Sequence, residues 1–447
     1  MQEDTICAIA TPLGTGGVSI IRISGDEALP LLKKVFNHNL KTKIVPREMA
    51  FGTVNFGDFC DNALCVYFPK PNSFTGEDVV EINLHGGYYI TKTVLEEIIK
   101  TGKIRLAEPG EFSKRAVLNG KMDISQAEGI IDLINANSHA ELRASSNVMT
   151  GGLRDKINDI QTSLTDLISQ VDVAIDYPDQ DIEYITYPEI TALLEPIKEK
   201  IQNLYDTSAT GLLIKNGVTI ALSGIPNAGK SSLLNALLGY ERAIVTEIAG
   251  TTRDTLSESY EFNGVRFNIV DTAGIRQSND VVEKAGIERA KKTADQADLV
   301  IHLIDAQVPI TKQKLDYTTN SQVITVLNKI DAPASLVKTD SNMKFDISIS
   351  AKENTNITKL KQLIFDKTIN QTYFNEKVLI TNTRHKQALE NTIKIFEQIN
   401  EAITKNDTLD CLALLLRDAW LLLGSITGEN TDQKILDTIF SKFCLGK

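Results

Sequence analysis

Cysteine is scarce in this sequence of 447 residues, and its cysteines form no pair of the CxxC type. The five histidines are scattered, so no group of residues has the spacing of a zinc site. An odd number of isolated cysteines also argues against a disulfide framework and favours a reducing compartment. These residues are Cys7, Cys60, Cys65, Cys411 and Cys444.

Long hydrophobic runs are also missing. The most apolar stretch, residues 411–423, is interrupted by Arg417 and Asp418 and is shorter than the roughly 20 residues that a membrane span needs. The first 30 residues are interrupted by charged side chains at positions 22–27 and lack the cleavage site of a signal peptide. We therefore predict a cytoplasmic protein with no membrane segment, and a buried helix at residues 411–423.

Positive charge is not in excess, because 47 Lys and Arg face 58 Asp and Glu, which gives a net charge of −11. A protein that coats nucleic acid by bulk charge needs many cations to neutralise phosphates. The acidity is concentrated in residues 121–215, where 7 basic side chains face 16 acidic ones. A nucleic-acid partner must therefore contact a local patch elsewhere, or bind with the help of a second protein.

The first 120 residues contain short β-branched runs that turn clusters separate, which predicts a compact α+β domain. The predicted strands are residues 7–10, 18–23, 51–56, 63–68 and 79–84. From Lys121 the apolar residues recur at helical spacing, and the segment Ser125 to Glu128 has the form of a capping box.

Helical patterning continues to residue 215 and returns after residue 376, whereas strand-like and helix-like runs alternate between them, as in a parallel α/β domain. The length alone suggests about three domains of ~150 residues. We predict a multidomain α/β protein with an α+β domain at residues 1–120. A helical domain divided between 121–215 and 376–447 receives an inserted α/β domain at 216–375.

A glycine-rich loop with the spacing GxxxxGKS lies at residues 224–231, between a predicted strand at 217–223 and a predicted helix at 232–238. In this context the glycines let backbone N–H groups surround phosphates. Lys230 neutralises the β and γ oxygens, and Ser231 reaches Mg²⁺. The pattern predicts a site for a nucleoside triphosphate.

Three further motifs follow at strand ends. Asp271-Thr-Ala-Gly274 supplies a carboxylate for the water shell of the metal and a glycine N–H that senses the γ-phosphate. Asn328-Lys-Ile-Asp331 supplies a carboxylate that accepts from both N1–H and the 2-amino group of guanine, a pair of donors that adenine lacks. Ser350-Ala-Lys352 fits the loop that supports the base. The set indicates GTP.

Hydrolysis needs a substitute for the glutamine of Ras-type enzymes, because Ile275 follows the DTAG glycine. Glu283 is a candidate for orienting water, and a solvated helix carboxylate is an equally good interpretation of it. The oxygen of Asn227 can help to hold a monovalent cation beside the phosphates, or the residue only shapes the loop. A mobile switch is expected at residues 246–254, with a threonine that binds Mg²⁺ when the γ-phosphate is present.

With these motifs the sequence resembles the tRNA modification GTPases of the MnmE family, also called TrmE, over nearly its full length. The matching segments are 224–231 with Asn227, 250–254, 271–274, 328–331 and the ending Phe443-Cys-Leu-Gly-Lys447. The last motif is discriminating, since many GTPases share the others. The family usually ends in Cys-Ile-Gly-Lys, and Leu445 is a mild departure.

The resemblance implies that residues 216–375 are a Ras-like G domain and that the protein is a K⁺- and Mg²⁺-dependent GTPase that forms a homodimer through these domains. It also implies a partner, the FAD-containing protein MnmG (GidA). Together the two proteins install a carboxymethylaminomethyl- or aminomethyl-type group at C5 of the wobble uridine, U34, of certain tRNAs. The one-carbon donor is a 5-formyl- or 5,10-methylene-type tetrahydrofolate.

By matching position, the resemblance assigns roles to individual residues. The K⁺ ligands are Asn227, Thr246, Ile248 and Thr251, the second and third through backbone oxygens. Mg²⁺ is assigned to Ser231 and Thr252, and the catalytic groups are Lys230 and Glu283, the latter orienting water through an intermediary. Contacts with GTP are assigned to Asn227, Ala228, Gly229, Lys230, Ser231, Ser232, Thr246, Glu247, Ile248, Ala249, Gly250, Thr251, Thr252, Asp271, Thr272, Ala273, Gly274, Asn328, Lys329, Asp331, Ser350, Ala351 and Lys352.

The N-terminal domain of the family is similar to folate-binding domains of one-carbon enzymes. The pterin edge of folate offers N–H donors and its glutamate tail offers carboxylates, so an acid and several bases are expected. Glu81 fits the first role, and Arg22, Lys121 and Lys447 fit the second. Cys444 is either a thiolate nucleophile that attacks C6 of uracil or part of a structural plug, and both readings stay open.

Two rival functions follow from the same residues. The first is a regulatory or ribosome-assembly GTPase without base-modifying chemistry, for which removal of residues 444–447 would have no effect. The second is a folate-dependent transfer enzyme with a merely regulatory G domain, whose one-carbon chemistry would persist when GTP hydrolysis is blocked.

Overall fold

The computed structural model describes residues 4–38, 44–177, 185–239, 258–271, 291–313, 318–333, 344–429, 433–441, 443 and 446. The chain forms two compact units. Unit 1 comprises residues 1–131 and 420–447, and unit 2 comprises residues 132–419. Helix and sheet occur in both units, as the predicted multidomain α/β class requires.

Unit 1 is built on a seven-stranded sheet with the order β3-β4-β5-β6-β2-β1-β7. All neighbouring strands are antiparallel except β1 and β7. Apolar side chains alternate along the strands, and one face buries them against helices α1 and α2. The strands are β1 (Thr5–Ile9), β2 (Val18–Ser24), β3 (Phe36–His38), β4 (Ala50–Phe56), β5 (Phe59–Phe68), β6 (Val79–His85) and β7 (Ile104–Leu106), and the helices are α1 (Ala28–Val35), α2 (Tyr88–Lys100) and α3 (Glu111–Leu118).

The predicted capping box at Ser125 to Glu128 is wrong, because helix α4 (Ile124–Asn135) already includes Ser125. The cap is Asp123, whose Oδ1 accepts from the N–H of Gln126 at 3.0 Å. The side-chain oxygen of Gln126 in turn accepts from the N–H of Asp123 at 3.2 Å. An acidic cap with a glutamine three residues later makes the same reciprocal bonds as the serine and glutamate that we expected.

The last part of the chain belongs to unit 1. Helix α13 (Gln433–Phe440) packs beside α3, and Phe440 and Phe443 share a small core with Ile124. The predicted helix at 411–423 is confirmed as part of α12 (Leu409–Thr427), although Leu414 is exposed on it.

Unit 2 contains a six-stranded sheet with the order β13-β12-β11-β8-β10-β9, in which only β9 and β10 are antiparallel. The central strands β8 and β11 are mostly apolar and almost entirely buried, because both faces of the sheet are covered there. The strands of this sheet are β8 (Val218–Ser223), β9 (Glu258–Phe262), β10 (Val265–Asp271), β11 (Leu299–Asp305), β12 (Gln322–Asn328) and β13 (Ile347–Ser348).

The helices of unit 2 surround this sheet or continue as long helical hairpins. They are α5 (His139–Met149), α6 (Gly152–Asp176), α7 (Tyr187–Asn216), α8 (Lys230–Leu238), α9 (Ile357–Thr368), α10 (Gln371–Phe374) and α11 (Thr383–Lys405). Ile214 at the end of α7 and Leu379 before α11 share one core with the sheet. Just after the α/β part, the N–H of Ile380 donates to Oγ1 of Thr207 in α7 at 3.1 Å, so the helix that precedes this part contacts the segment that follows it.

No described helix is long and apolar enough to cross a membrane. The described residues also contain no cluster of His, Cys, Asp and Glu suited to a metal ion.

Candidate functional site

The phosphate loop occupies the turn between β8 and α8, where two glycines have no room for a side chain. Gly224 has φ +147°, and a Cβ there would lie 2.5 Å from the carbonyl oxygen of Leu303. Gly229 has φ +99°, and a Cβ there would overlap Nδ2 of Asn328. In this conformation of the loop, both positions therefore require glycine on steric grounds.

Lys230 is the first residue of α8, and its side chain folds back over the loop. Its Nζ donates to the carbonyl oxygens of Gly224 at 2.7 Å and Ile225 at 3.0 Å. Within the described part of the chain, no side chain caps this helix. Its first N–H groups and the Lys230 ammonium are therefore directed at one place, which suits an anion.

Asn328 connects the phosphate loop to the loop after β13. Its Nδ2 donates to the carbonyl oxygen of Ala228 at 2.9 Å, and its Oδ1 accepts from the N–H of Ala351 at 3.0 Å. The residue is almost fully buried. Three of the predicted motifs are therefore held together by one amide side chain.

Asp331 stands next to this junction with its carboxylate oriented. The hydroxyl of Ser350 donates to its Oδ1 at 2.6 Å, and Ser350 also accepts from the N–H of Glu353 at 3.1 Å. The hydrogen bond from Ser350 lowers the pKa of Asp331. An ionised carboxylate that is fixed in this way is an acceptor for two parallel N–H donors.

Asp305 was not among the sequence-predicted site residues. It ends the buried strand β11, and its Oδ2 lies 2.6 Å from Nζ of Lys329. The sequence contained one signal that could have identified Asp305, namely an acidic residue at the end of a strand whose other residues are mostly apolar. No motif contains it, and its partner is 24 positions away.

The remaining predicted nucleotide-site residues are described in part or not at all. The backbone of Asp271 ends β10 beside Leu222 of β8, so the DTAG motif starts at the same sheet edge as the phosphate loop. Ser231 and Asn227 are exposed at the loop, as is Lys352 after β13. Outside the described residues lie Thr246, Glu247, Ile248, Ala249, Gly250, Thr251, Thr252, Thr272, Ala273, Gly274 and Glu283.

A second group of predicted residues meets in unit 1. Arg22 of β2 pairs with Glu81 of β6, with Nε 2.9 Å and Nη2 2.8 Å from Oε1. The guanidinium carbon of Arg22 lies 5.4 Å from the ring centre of Phe74 and 5.8 Å from that of Phe112. Arg22 is thus an ion-paired cation beside two aromatic faces.

The C-terminal tail reaches this place through Gly446. Nη1 of Arg22 lies 3.5 Å from the carbonyl oxygen of Gly446, and a Cβ at Gly446 would overlap the carbonyl oxygen of Ile9. Lys121 is exposed, and its stem lies near Gly76. Cys444 and Lys447 lie outside the described residues.

The sheet order of unit 2, the phosphate loop at the end of β8 and the base motif at the end of β12 define a P-loop G domain. The family model described as "GTP-binding protein TrmE N-terminus" matches residues 5–121, and the model described as "MnmE helical domain" matches residues 124–444. The chain belongs to the MnmE family.

Curated relatives cover the whole chain. The tRNA modification GTPase MnmE of Acetivibrio thermocellus is 41% identical over 462 residues, with 100% of both chains covered. That of Clostridioides difficile is 38% identical, with 100% of this chain and 99% of the relative covered. The G domain of FeoB from Methanococcus jannaschii is 25% identical and covers 34% of this chain and 97% of its own, but its TM-score is 0.26, so no conclusion rests on it.

Proposed function

We propose that this chain hydrolyses GTP and uses the cycle to drive modification of C5 of the wobble uridine U34 in certain tRNAs. It works as a homodimer with the FAD-containing partner MnmG and takes its carbon from a 5-formyl- or 5,10-methylene-type tetrahydrofolate. In this proposal residues 1–120 bind folate, 216–375 bind GTP, and 121–215 with 376–447 form the helical domain.

The observation that carries the proposal is the arrangement of Asn328, Asp331 and Ser350. Ser350 fixes the orientation of the Asp331 carboxylate, and an ionised carboxylate accepts from N1–H and the 2-amino group of guanine at the same time. Asn328 ties this base site to the loop that receives the phosphates. One side chain therefore sets the spacing between the base end and the phosphate end of the nucleotide.

The phosphates are bound by the N–H groups of the loop and of α8, with Lys230 moving its ammonium from the loop carbonyls onto the β and γ oxygens. Mg²⁺, when bound, neutralises charge that develops on the phosphates. The exposed hydroxyl of Ser231 fits a hard cation, and Thr252 completes the proposed pair of ligands.

The chemistry of hydrolysis needs a positive charge and an oriented water in place of the missing arginine and glutamine. The exposed side-chain oxygen of Asn227 fits a K⁺ ion beside the phosphates, with Thr246, Ile248 and Thr251 as the other ligands. Glu283 orients the attacking water through an intermediary.

The folate end of the proposal is supported by the surroundings of Arg22. The half-buried ring of Phe74 offers flat apolar surface to a pterin ring, and the ion-paired guanidinium of Arg22 beside it offers charge to the polar edge of that ring. Glu81 supplies the acceptor, and Lys121 and Lys447 supply further positive charge. The contact between Gly446 and Arg22 supports a role for the tail at this site, with the thiol of Cys444 as either a nucleophile toward C6 of uracil or part of a plug.

The test is nucleoside analysis of bulk tRNA from a strain that lacks this chain. We expect loss of a C5-substituted wobble uridine and its return with the wild-type chain. An Asp331→Asn chain should bind xanthosine triphosphate in place of GTP and fail to restore the modification. Normal tRNA in the deletion strain would contradict the proposal, and unchanged GTP affinity of the variant would contradict the assignment of the base site.

A further inference from the structure

The polar side chains of the base motif are held by partners that lie outside the motif. Asn328 is fixed by Ala228 and Ala351, and Asp331 is fixed by Ser350. Lys329, between them, is held by Asp305. The first two contacts follow from known motifs in the sequence, whereas the third does not.

Lys329 is constrained at both ends of its side chain. Its backbone has φ +66°, a left-handed conformation that non-glycine residues seldom adopt. Its Nζ lies 2.6 Å from Oδ2 of Asp305, and about a third of the side chain is exposed. The four-carbon stem of Lys329 is therefore held between a fixed backbone and a fixed ammonium.

Asp305 is itself held in place from several sides. Its Oδ1 accepts from the N–H of Gln307 at 2.9 Å, which leaves Oδ2 for Lys329. The buried amide of Gln313 clamps its backbone, accepting from the N–H of Asp305 at 2.8 Å and donating to its carbonyl oxygen at 2.9 Å. The carboxylate of Asp305 is therefore a rigid anchor that is almost fully buried.

From this geometry we propose that Asp305 is a positioning residue of the guanine site, acting through Lys329. This proposal rests on the proposed function, because it places the stem of Lys329 over the guanine ring of the bound nucleotide. Without Asp305, the side chain of Lys329 has to become ordered each time that a nucleotide binds. This loss of preorganisation weakens nucleotide binding, mainly through faster release.

The experiment measures release of a fluorescent GDP analogue from the full-length chain after addition of excess GDP. We expect Asp305→Asn to release it about tenfold faster, because asparagine has one oxygen for two donors and no charge for Lys329. Asp305→Glu, which keeps the charge, should restore most of the retention. Asp298→Asn is the matched control, since Asp298 precedes the same strand at its other end and accepts from Thr219 at 2.7 Å. It should leave release unchanged.

A double-mutant cycle separates positioning from a general structural role. Lys329→Met keeps the stem and removes only the ammonium, so it should speed release about as much as Asp305→Asn. The double variant should be no faster than either single variant. Additive effects, or release from either single variant within twofold of wild type, would overturn the inference.

Failure of the proposed function can be told apart from failure of the role of Asp305. If the wild-type chain binds no guanine nucleotide, the proposed function fails, whereas normal binding with an unaffected Asp305→Asn variant defeats only the role of Asp305. If Asp305→Asn does not fold, Lys329→Met decides, because its partly exposed side chain is altered at the tip alone. A wild-type release rate for Lys329→Met then defeats the inference.

Discussion

Replacing Gly229 with alanine tests whether the phosphate loop and the guanine motif behave as one site. The new Cβ would overlap Nδ2 of Asn328, and the backbone at this position has φ +99°. Asn328 has no free direction in which to withdraw, since it donates to Ala228 at 2.9 Å and accepts from Ala351 at 3.0 Å. The substitution therefore disturbs base recognition from the phosphate side.

The expected magnitude has two parts. Holding alanine in a left-handed conformation costs about 1–2 kcal/mol. Breaking one hydrogen bond of the buried Asn328 costs a further ~1–2 kcal/mol. Nucleotide binding requires the loop conformation in which these costs arise, whereas no ligand holds the empty variant loop in that conformation, so we expect the costs in the binding free energy. A total of about 2–4 kcal/mol corresponds to roughly 30- to 700-fold weaker binding of GTP.

The assay is titration of the full-length chain with a fluorescent GTP analogue, together with thermal unfolding of the apo protein. Gly264→Ala is the matched control, because Gly264 has φ +78° in the same unit and its nearest neighbouring atom would lie 3.5 Å from the new Cβ. Gly264→Ala therefore introduces similar backbone strain, but its new Cβ overlaps no neighbouring atom. GTP affinity of Gly229→Ala within threefold of wild type, or an equal loss in the control, would refute the reasoning.

Three further predictions concern the cation, the tail site and pH. Replacing K⁺ by Na⁺ should slow GTP hydrolysis strongly, because K⁺ is the cation that we propose at Asn227, and equal rates in both salts would reject that site. Arg22→Met should weaken binding of 5-formyltetrahydrofolate about tenfold in calorimetric titration, by loss of its charge-assisted hydrogen bonds, and unchanged binding would exclude Arg22 from the folate site. Burial raises the pKa of Glu111, but hydrogen bonds from Arg105, the Glu108 N–H and Arg115 outweigh it and lower the pKa to about 2. The ionised carboxylate therefore stabilises the fold above its ordinary pKa of 4.5, by at most about 3 kcal/mol, and this contribution disappears as pH falls towards 2. In thermal unfolding, Glu111→Gln should lower the Tm at pH 7 and do so much less at pH 3, and an equal loss at both values would contradict the assignment.

Features with local causes could be predicted from the sequence. The five strands expected in unit 1 are present because β-branched runs between turn clusters determine a strand by themselves. The phosphate loop lies at the end of β8 for a similar reason, since its glycines allow backbone angles that other residues rarely adopt. Strands β3 and β7 escaped prediction because three residues are too few to show alternation.

Features that depend on distant partners could not be predicted. The buried side chains of Arg115 and Glu111 form ion pairs with the more exposed Arg105 and Asp4, and Asp4 is more than 100 positions away from all three. The anchoring of Lys329 by Asp305 belongs to the same class, because only the parallel pairing of β11 with β12 brings the two residues side by side. Counting charges along the sequence identified residues 121–215 as acidic, but it could not identify which charged side chains form ion pairs.

The hairpin of β9 and β10 ties the nucleotide end of unit 2 to its helical part. At its tip, the carbonyl oxygen of Gly264 accepts from the N–H of Ala140 at the start of α5, at 2.8 Å. Further along β10, Arg266 and Asn268 both donate to the carbonyl oxygen of Asn216, at 3.0 and 3.2 Å. That carbonyl ends α7, where the chain enters the sheet. Because β10 also carries the start of the DTAG motif at its far end and is bonded to β8 along its length, it can move only together with these contacts. We therefore expect a change at that motif to reach the helices through β10.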